Sequence, residues 1–401
     1  MPAVATDKNR PSAEWIAELR RRFPCEPEMD RVLVRKLELR GGAGYSPVSL
    51  DELKAGTEAL IRARIGDEFA IANARWLSGG ASKLQMVFDL DWNDAATGGR
   101  TTTRMVMRMQ PAESISETSR AIEFDAIKAL AGHIPLPPAY WVDPEGSFLP
   151  YPAIVYGFAE GVAKPTASTS KVTGVGTAIP PEIRDTLGQQ LVRDMAQLHT
   201  FDWAAADLGA IDKPTSARQA LDWQLNHWER VWTEDVREDV PLMRLAMGWL
   251  RRNIPECDRL SLVHGDFRVG NFLFTEPDYR VSAWLDWEYA HISDRHEDLA
   301  WTIKTVFGQL AEDGTTFLVG GLTPREQFLA EYEAASGLPV DPVRLRYWDI
   351  LDSFKSITIV LATGCRVASL GKTHQDVLVA WLSGIGYPLL DDLRAQLEEV
   401  L

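Results

Sequence analysis

Leu262-Val-His264-Gly-Asp266-Phe-Arg268-Val-Gly-Asn271-Phe-Leu-Phe, continued by Thr-Glu-Pro277-Asp-Tyr-Arg280 and then Val-Ser-Ala-Trp-Leu-Asp286-Trp-Glu288, is the stretch that decides how this chain is read. NFLF and VSAWL are short apolar runs of strand character, separated by residues that favour a turn. With the turn centred near Pro277 to Arg280, the runs pair antiparallel and Asn271 is expected opposite Asp286. An amide oxygen and a carboxylate then meet at the open end of a hairpin, a hard oxygen pair of the kind Mg²⁺ prefers. Asp266, on the loop after the apolar run 260–263, reaches the same end. Phosphoryl transfer needs a carboxylate to orient the attacking hydroxyl and take its proton, and ligands for the ion that bridges the phosphates. Asp266 fits the first role, Asn271 and Asp286 the second. Glu288 is open between helping to hold metal and orienting the loop, and His264 reads as a structural buttress.

Working outward, the first 60 or so residues are polar and helical, with Ser12 and Ser49 as N-caps. From Phe69 the pattern turns to strand-like runs, FAIANARWL, KLQMVFDLDW and TTTRMVMRMQ, a small antiparallel sheet. A helix, SETSRAIEFDAIKALAG, and a further strand ending at Gly157 follow. The rest is mainly helical: Leu187, Leu191, Met195 and Leu198 recur at helical spacing, and further helical runs are expected over about 215–253, 297–312 and 341–399. Trp223, Trp228 and Trp232 read as helix packing. The expected organisation is a helical N-terminal extension (1–60), an N-lobe (61–156) and a C-lobe (157–401), an α+β fold of two lobes with a cleft between them.

His-x-Asp-x₄-Asn followed by an Asp after the next hairpin is the kinase catalytic-loop pattern. HGDFRVGNFLF, AWLDWE and HEDLAW resemble the phosphotransferase family that includes aminoglycoside and choline kinases, and its bacterial branch, similar to the kinase-like domain attached to some acyl-CoA dehydrogenases. The resemblance covers about residues 69–330. It implies a protein-kinase-like fold, ATP and Mg²⁺ as cofactors, and a small molecule with a hydroxyl as acceptor: a metabolic alcohol or hydroxyacyl compound, or an aminoglycoside-like antibiotic. It places Arg268 facing the transferred phosphate, and Arg108 where protein kinases carry the strand Lys, with Glu123 as its helix partner. Ser78, Gly79, Gly80 and Ser82 stand at the phosphate-binding turn, and Lys83 beside them reads as solvent-facing. The run from Ile154 resembles the hinge, with Tyr156 behind the adenine and backbone groups of Gly157 and Ala159 binding it. Asp298 reads as a capping or loop-bracing carboxylate.

Composition narrows the alternatives. The 401 residues are 45% hydrophobic and carry a formal charge of −15, which disfavours nucleic acid and anionic membranes as partners, since both recruit clustered Lys and Arg. Three widely separated cysteines and the lack of an 18-residue apolar run lead to the expectation of a reduced, cytoplasmic protein. Two other functions stay open: a nucleotide-binding pseudokinase, suggested by Arg108, and a metal-dependent hydrolase using His264, Asp266, Asp286, His291 and His296. An Ala-Pro-Glu segment after Asp286 is missing, which argues against a protein kinase.

Overall fold

Alternation in the strands sets the first half of the molecule. A computed structural model of the chain describes residues 7–44, 46–77, 83–166, 178–371 and 376–401. Strands β1 (Phe69–Trp76), β2 (Leu84–Asp94), β3 (Gly99–Met109), β4 (Ala139–Asp143) and β5 (Ala153–Gly157) form one antiparallel sheet in the order β1-β2-β3-β5-β4. On one face Met86, Phe88, Leu90, Met105, Met107 and Met109 close an apolar core. Because side chains alternate, Arg108 between Met107 and Met109 faces the other way. Three helices precede the sheet: α1 (Ala13–Arg22), α2 (Pro27–Leu39) and α3 (Leu50–Ile65). Helix α3 packs Leu53, Leu60 and Ile61 into the sheet core. It is started by a capping box in which Ser49 and Glu52 satisfy each other's backbone N–H groups, a device of about 1 kcal/mol. Ser12 caps α1 in the simpler way.

Helix α4 (Arg120–Ala129) links β3 to β4 and joins the larger core, built around α5 (Pro181–Thr200), α6 (Ala217–Asp235) and α7 (Pro241–Arg252). The informative stretch follows: β6 (Leu260–Val263), β7 (Phe272–Phe274), β8 (Val281–Trp284), β9 (His291–Asp294) and the short α8 (His296–Thr302), with β6 paired to β9 and β7 to β8. Leu187, Leu191, Met195 and Leu198 are all buried, as their spacing predicts.

The expected helix over 297–312 stops at Thr302. A 3₁₀ turn (Thr305–Phe307) and β10 (Gln309–Leu310) stand in its second half, and β10 begins a small antiparallel sheet continued by β11 (Phe317–Val319) and β12 (Thr323–Pro324). Gly314, Gly320 and Gly321 adopt positive φ at its turns, a backbone that ends a helix. Helix α9 (Arg325–Ser336) comes next. The run from 341 is likewise broken into α10 (Pro342–Ile357), a π-helical turn (Thr358–Gly364), α11 (Cys365–Leu370), α12 (Asp376–Ser383) and α13 (Gly386–Glu398). Among the described residues no helix is long and apolar enough to cross a membrane.

Candidate active site

The loop that leaves β6 is fixed before it presents any reactive group. Gly265 has φ 74°, and a Cβ there would meet Cβ and the carbonyl oxygen of Tyr289 at 2.8 Å, so only glycine fits. The N–H groups of His264 and Gly265 donate to the two oxygens of Asp298, at 2.8 Å each. Asp298 is therefore the loop brace anticipated from the sequence. Burial alone would raise its pKa, but the contact with His199 and the loop N–H groups outweigh that and lower it. His264 donates from Nε2 to the Leu285 carbonyl (2.9 Å) and accepts the Asp266 N–H on Nδ1 (3.2 Å), which ties the loop to the end of the hairpin.

Asp266 is held from three directions. Arg268 Nε (2.9 Å) and Trp301 Nε1 (2.6 Å) donate to Oδ1, and Asn271 Nδ2 donates to Oδ2 (2.7 Å) and to the Asp266 carbonyl (2.8 Å). Oδ2 thus carries one of these donors and Oδ1 two. The guanidinium of Arg268 lies 5.2 Å from the Phe307 ring centroid. Asn271 ends a 3₁₀ turn (Val269–Asn271), and its carbonyl accepts the Leu285 N–H (2.8 Å). Phe272 pairs with Trp284 and Leu273 with Ala283, so Leu285 stands opposite Asn271 and Asp286 one residue beyond. The expected register is off by one. A left-handed conformation at Asp286 (φ 63°, ψ 45°) redirects the chain there.

Across the cleft, Arg108 joins the two halves of the molecule. Its Nη1 is 2.5 Å from Glu123 Oε1 and its Nη2 is 2.7 Å from Asp286 Oδ1. Glu123 also pairs with Arg120. Arg120 in turn reaches Glu288 Oε2 (2.5 Å), which is 3.3 Å from Lys83 Nζ and accepts from the Thr118 hydroxyl (3.0 Å). Three cations and three carboxylates are interlocked here, five of the six almost completely buried and Asp286 alone still partly open to solvent.

Two expectations change as a result. Lys83 is buried rather than solvent-facing, because β2 starts with its side chain on the same face as Arg108. Glu288 turns its Oε2 into Lys83, Arg108 and Arg120, which hold its carboxylate well below the usual range in spite of burial. A carboxylate so surrounded by fixed positive charge is poorly placed to attract a divalent ion. Asp286 behaves oppositely: burial raises its pKa, Arg108 lowers it, and Glu288, Glu123 and Asp266 push it up again. Burial is the largest of these influences, and the neighbouring carboxylates add to it.

At the hinge, Tyr156 pairs with Val106 and Ala139. The Gly157 N–H donates to the Pro138 carbonyl (2.8 Å), and a Cβ on Gly157 would meet Pro138 Cγ at 2.8 Å. The Phe158 N–H donates to the Arg104 carbonyl, and Ala159 follows, half-buried. Ser78, Gly79, Gly80 and Ser82 lie outside the described residues. His291 is paired with Glu297 (3.0 Å) and His296 with Asp294 (2.8 Å), so these two histidines of the hydrolase reading are engaged by carboxylates other than Asp266 and Asp286.

Sequence reasoning missed Trp301 and Lys355. The Lys355 ammonium sits 4.5 Å from the Trp301 ring centroid, 5.1 Å from that of Tyr289 and 5.5 Å from that of Trp228, and donates to the Gly265 carbonyl. Trp301 closes the HEDLAW motif, so its position was visible although its indole donor was not; Lys355, on a distant helix, left no signal.

Residues 90–348 match the phosphotransferase enzyme family. A probable acyl-CoA dehydrogenase of Arabidopsis thaliana is 25% identical over 281 residues, which is 65% of this chain and 33% of that protein. Acyl-CoA dehydrogenase family member 11 of Gallus gallus is 28% identical over 173 residues, 41% of this chain and 22% of that protein. The chain therefore spans a third or less of the length of these relatives. Among solved structures, a Ralstonia eutropha protein provisionally named an aminoglycoside phosphotransferase superposes with a TM-score of 0.61 at 21% identity, over 86% of this chain and 98% of that one. A choline kinase from Streptococcus pneumoniae gives 0.51 at 16%, over 84% and 99%. At such identities the structural likeness speaks to the fold, which is the kinase-like α+β fold. The match over 90–348, well over half of the chain, places this protein in the phosphotransferase enzyme family.

Proposed function

We propose that the chain is an ATP- and Mg²⁺-dependent kinase that transfers the γ-phosphoryl group to a hydroxyl of a small molecule. The observation that carries this reading is the setting of Asp266. Its carboxylate is fixed by Arg268, Asn271 and Trp301, and Oδ2, with a single donor among them, keeps room to accept a proton. In the reaction the acceptor hydroxyl gives its proton to Asp266 Oδ2 while its oxygen forms the new bond to the γ-phosphorus. The bond from the γ-phosphorus to the bridging oxygen breaks, and its electron pair leaves with ADP. Arg268, beside Oδ1, supplies positive charge toward the transferring group. Arg108, steadied by Glu123, is the cation for the remaining phosphates.

Asn271 and Asp286, brought to one end of the hairpin, present the hard oxygen donors that Mg²⁺ takes. These two side chains would hold the ion, whose positive charge would offset that of the phosphates. Since the Gly157 N–H is engaged by Pro138, the adenine contacts fall to the Gly157 carbonyl and to Ala159, with Tyr156 behind. For the acceptor, the acyl-CoA dehydrogenase names of the curated relatives favour a metabolic alcohol or hydroxyacyl compound over an aminoglycoside-like antibiotic. Against a pseudokinase stands the complete set of Asp266, Asn271 and Asp286, and against a hydrolase the pairing of His291 and His296 elsewhere. Free thiols at Cys25, Cys257 and Cys365 suit a reducing, cytoplasmic setting.

The test is a mass-spectrometric screen of hydroxylated metabolites, hydroxyacyl thioesters and antibiotics with ATP and Mg²⁺. The expected outcome is an added phosphoryl group on an acceptor with equimolar ADP. ADP formation with no phosphorylated product would sink the kinase reading in favour of hydrolysis.

A further inference from the structure

Helices α1 to α3 lie outside the residues that match the family, yet α2 is bound to the helix that carries Glu123. Ser119 is the N-cap of α4, its hydroxyl accepting the Ile122 N–H (3.3 Å) and donating to Glu28 on α2. Glu28 is itself held by Arg31, at 2.7 Å, and Arg31 reaches on to Glu145 between β4 and β5 (2.6 Å). The Glu28 N–H donates to Asp212 (2.8 Å), between α5 and α6. A single residue thus sits where three parts of the molecule meet, its side chain on the cap of the helix whose seating decides whether Glu123 reaches Arg108.

The other end of α2 is fastened by buried charges. Lys36 Nζ is 2.5 Å from Glu234 and 3.5 Å from Asp235 at the end of α6, and Arg40, the residue that follows α2, is 2.5 Å from Asp235. Asp235 also meets Arg366 of α11 (3.0 Å), and Arg366 pairs with Glu113, in the loop between β3 and α4. That same loop supplies Thr118, which bonds Glu288, and leads into Arg120, which bonds both Glu123 and Glu288. From α2, then, two routes of contact lead to the charged cluster around Arg108, one through Ser119 and one through Asp235, Arg366 and Glu113.

We propose that α2 is a built-in brace for the nucleotide side of the active site: through Glu28 on Ser119, and through the buried Lys36–Asp235–Arg366–Glu113 chain, it keeps α4 seated so that Glu123 and Arg120 stay against Arg108 and Glu288. Glu28 is a positioning residue, acting on phosphate binding through α4. The inference rests on the kinase reading for its purpose and on the contacts above for its mechanics. An ordinary packing role for α2 would lower global stability and leave α4 no more exposed than its neighbours; a brace gives a local effect.

The experiment uses the full chain. Glu28→Ala removes the contact with Ser119 and Glu28→Gln keeps an acceptor oxygen for it. Binding of the non-hydrolysable ATP analogue AMP-PNP with Mg²⁺ is measured by titration calorimetry, and amide exchange is followed along the chain. Glu28→Ala is expected to weaken binding about tenfold, the scale of one lost charge-assisted hydrogen bond, and to speed exchange selectively over 120–129. Glu28→Gln should stay within about twofold of wild type. Should Glu28→Ala fail to fold, Glu28→Asp draws the carboxylate back from Ser119 while leaving the Ser119 cap on the Ile122 N–H in place, and must give the same signature. Unchanged exchange over 120–129, or faster exchange spread evenly over the molecule, overturns the brace. If wild type itself binds no nucleotide, the kinase reading fails, and exchange over 120–129 still decides whether α2 holds α4.

Discussion

The two charged centres of this molecule are built by opposite strategies. Asp266 and its partners come largely from one continuous stretch, with His264, Arg268 and Asn271 within five residues or fewer of it, and only Trp301 brought from farther along. The cluster around Arg108 is collected from Lys83 at the head of β2, β3, α4 and the turn at Asp286, with only Arg120 and Glu123, and Asp286 and Glu288, close in sequence. The first centre is directional: neutral and charged donors converge on one carboxylate and leave one oxygen able to take a proton. The second is balanced: three cations against three carboxylates in a dry setting, where removing any one leaves an uncompensated charge. A local turn can therefore set out one carboxylate and its donors, while the charged cluster around Arg108 depends on the whole fold being correct.

The sharpest way to break this contrast is to remove one member of each. Asp266→Asn keeps the size and most hydrogen bonds of the side chain and deletes its basicity. Turnover should fall about 10²- to 10⁴-fold, the range for a general base, with thermal unfolding and AMP-PNP binding close to wild type. A variant that still turned over at the wild-type rate would remove Asp266 from the mechanism. Arg108→Met is expected to do the reverse, destabilising the fold by about 3–5 kcal/mol because Glu123 and Asp286 lose a buried partner. Urea unfolding reads it. A change below about 1 kcal/mol would mean that the cluster is not the closed unit described here.

The third prediction concerns protons. The guanidinium of Arg108 stays charged at any ordinary pH, whereas the framework of the Asp266 loop contains a titratable contact, His291 with Glu297. Burial opposes the charge on His291, but Glu297, by charge and hydrogen bond, and Glu26 outweigh it and raise the imidazole to about 9. Its unfolded value is near 6.5, so the stabilisation is complete below pH 6.5 and is lost as pH rises through about 9. The amount is about 3 kcal/mol at most. Urea midpoints measured from pH 6 to 10 should fall more steeply for wild type than for His291→Gln. Parallel curves would show that the pair does not titrate as stated.

How much could be read beforehand follows from the same contrast. The hairpin that carries Asn271 was legible because turn residues and apolar runs are local, and only its register was displaced, its pairing shifting at a bulge between Leu273 and Phe274. The Ser12 and Ser49 caps were legible for the same reason. Lys83 was misplaced because a strand face is assigned by what packs on it, and α4 lies many residues away. Glu288 could not be settled from its own motif, since the cations that surround it come from three other elements. Strands β10 to β12, two or three residues long, are too short to show a period of two, and the apolar residues around their glycines imitate a helix.

Methionines on either side of Arg108 make β3 a ruler as well as a wall. One residue gained or lost between Arg104 and Met109 would turn a guanidinium into the sheet core and aim a thioether at Glu123 and Asp286, whereas residues added in the turn over 95–98 leave the phase of the strand untouched.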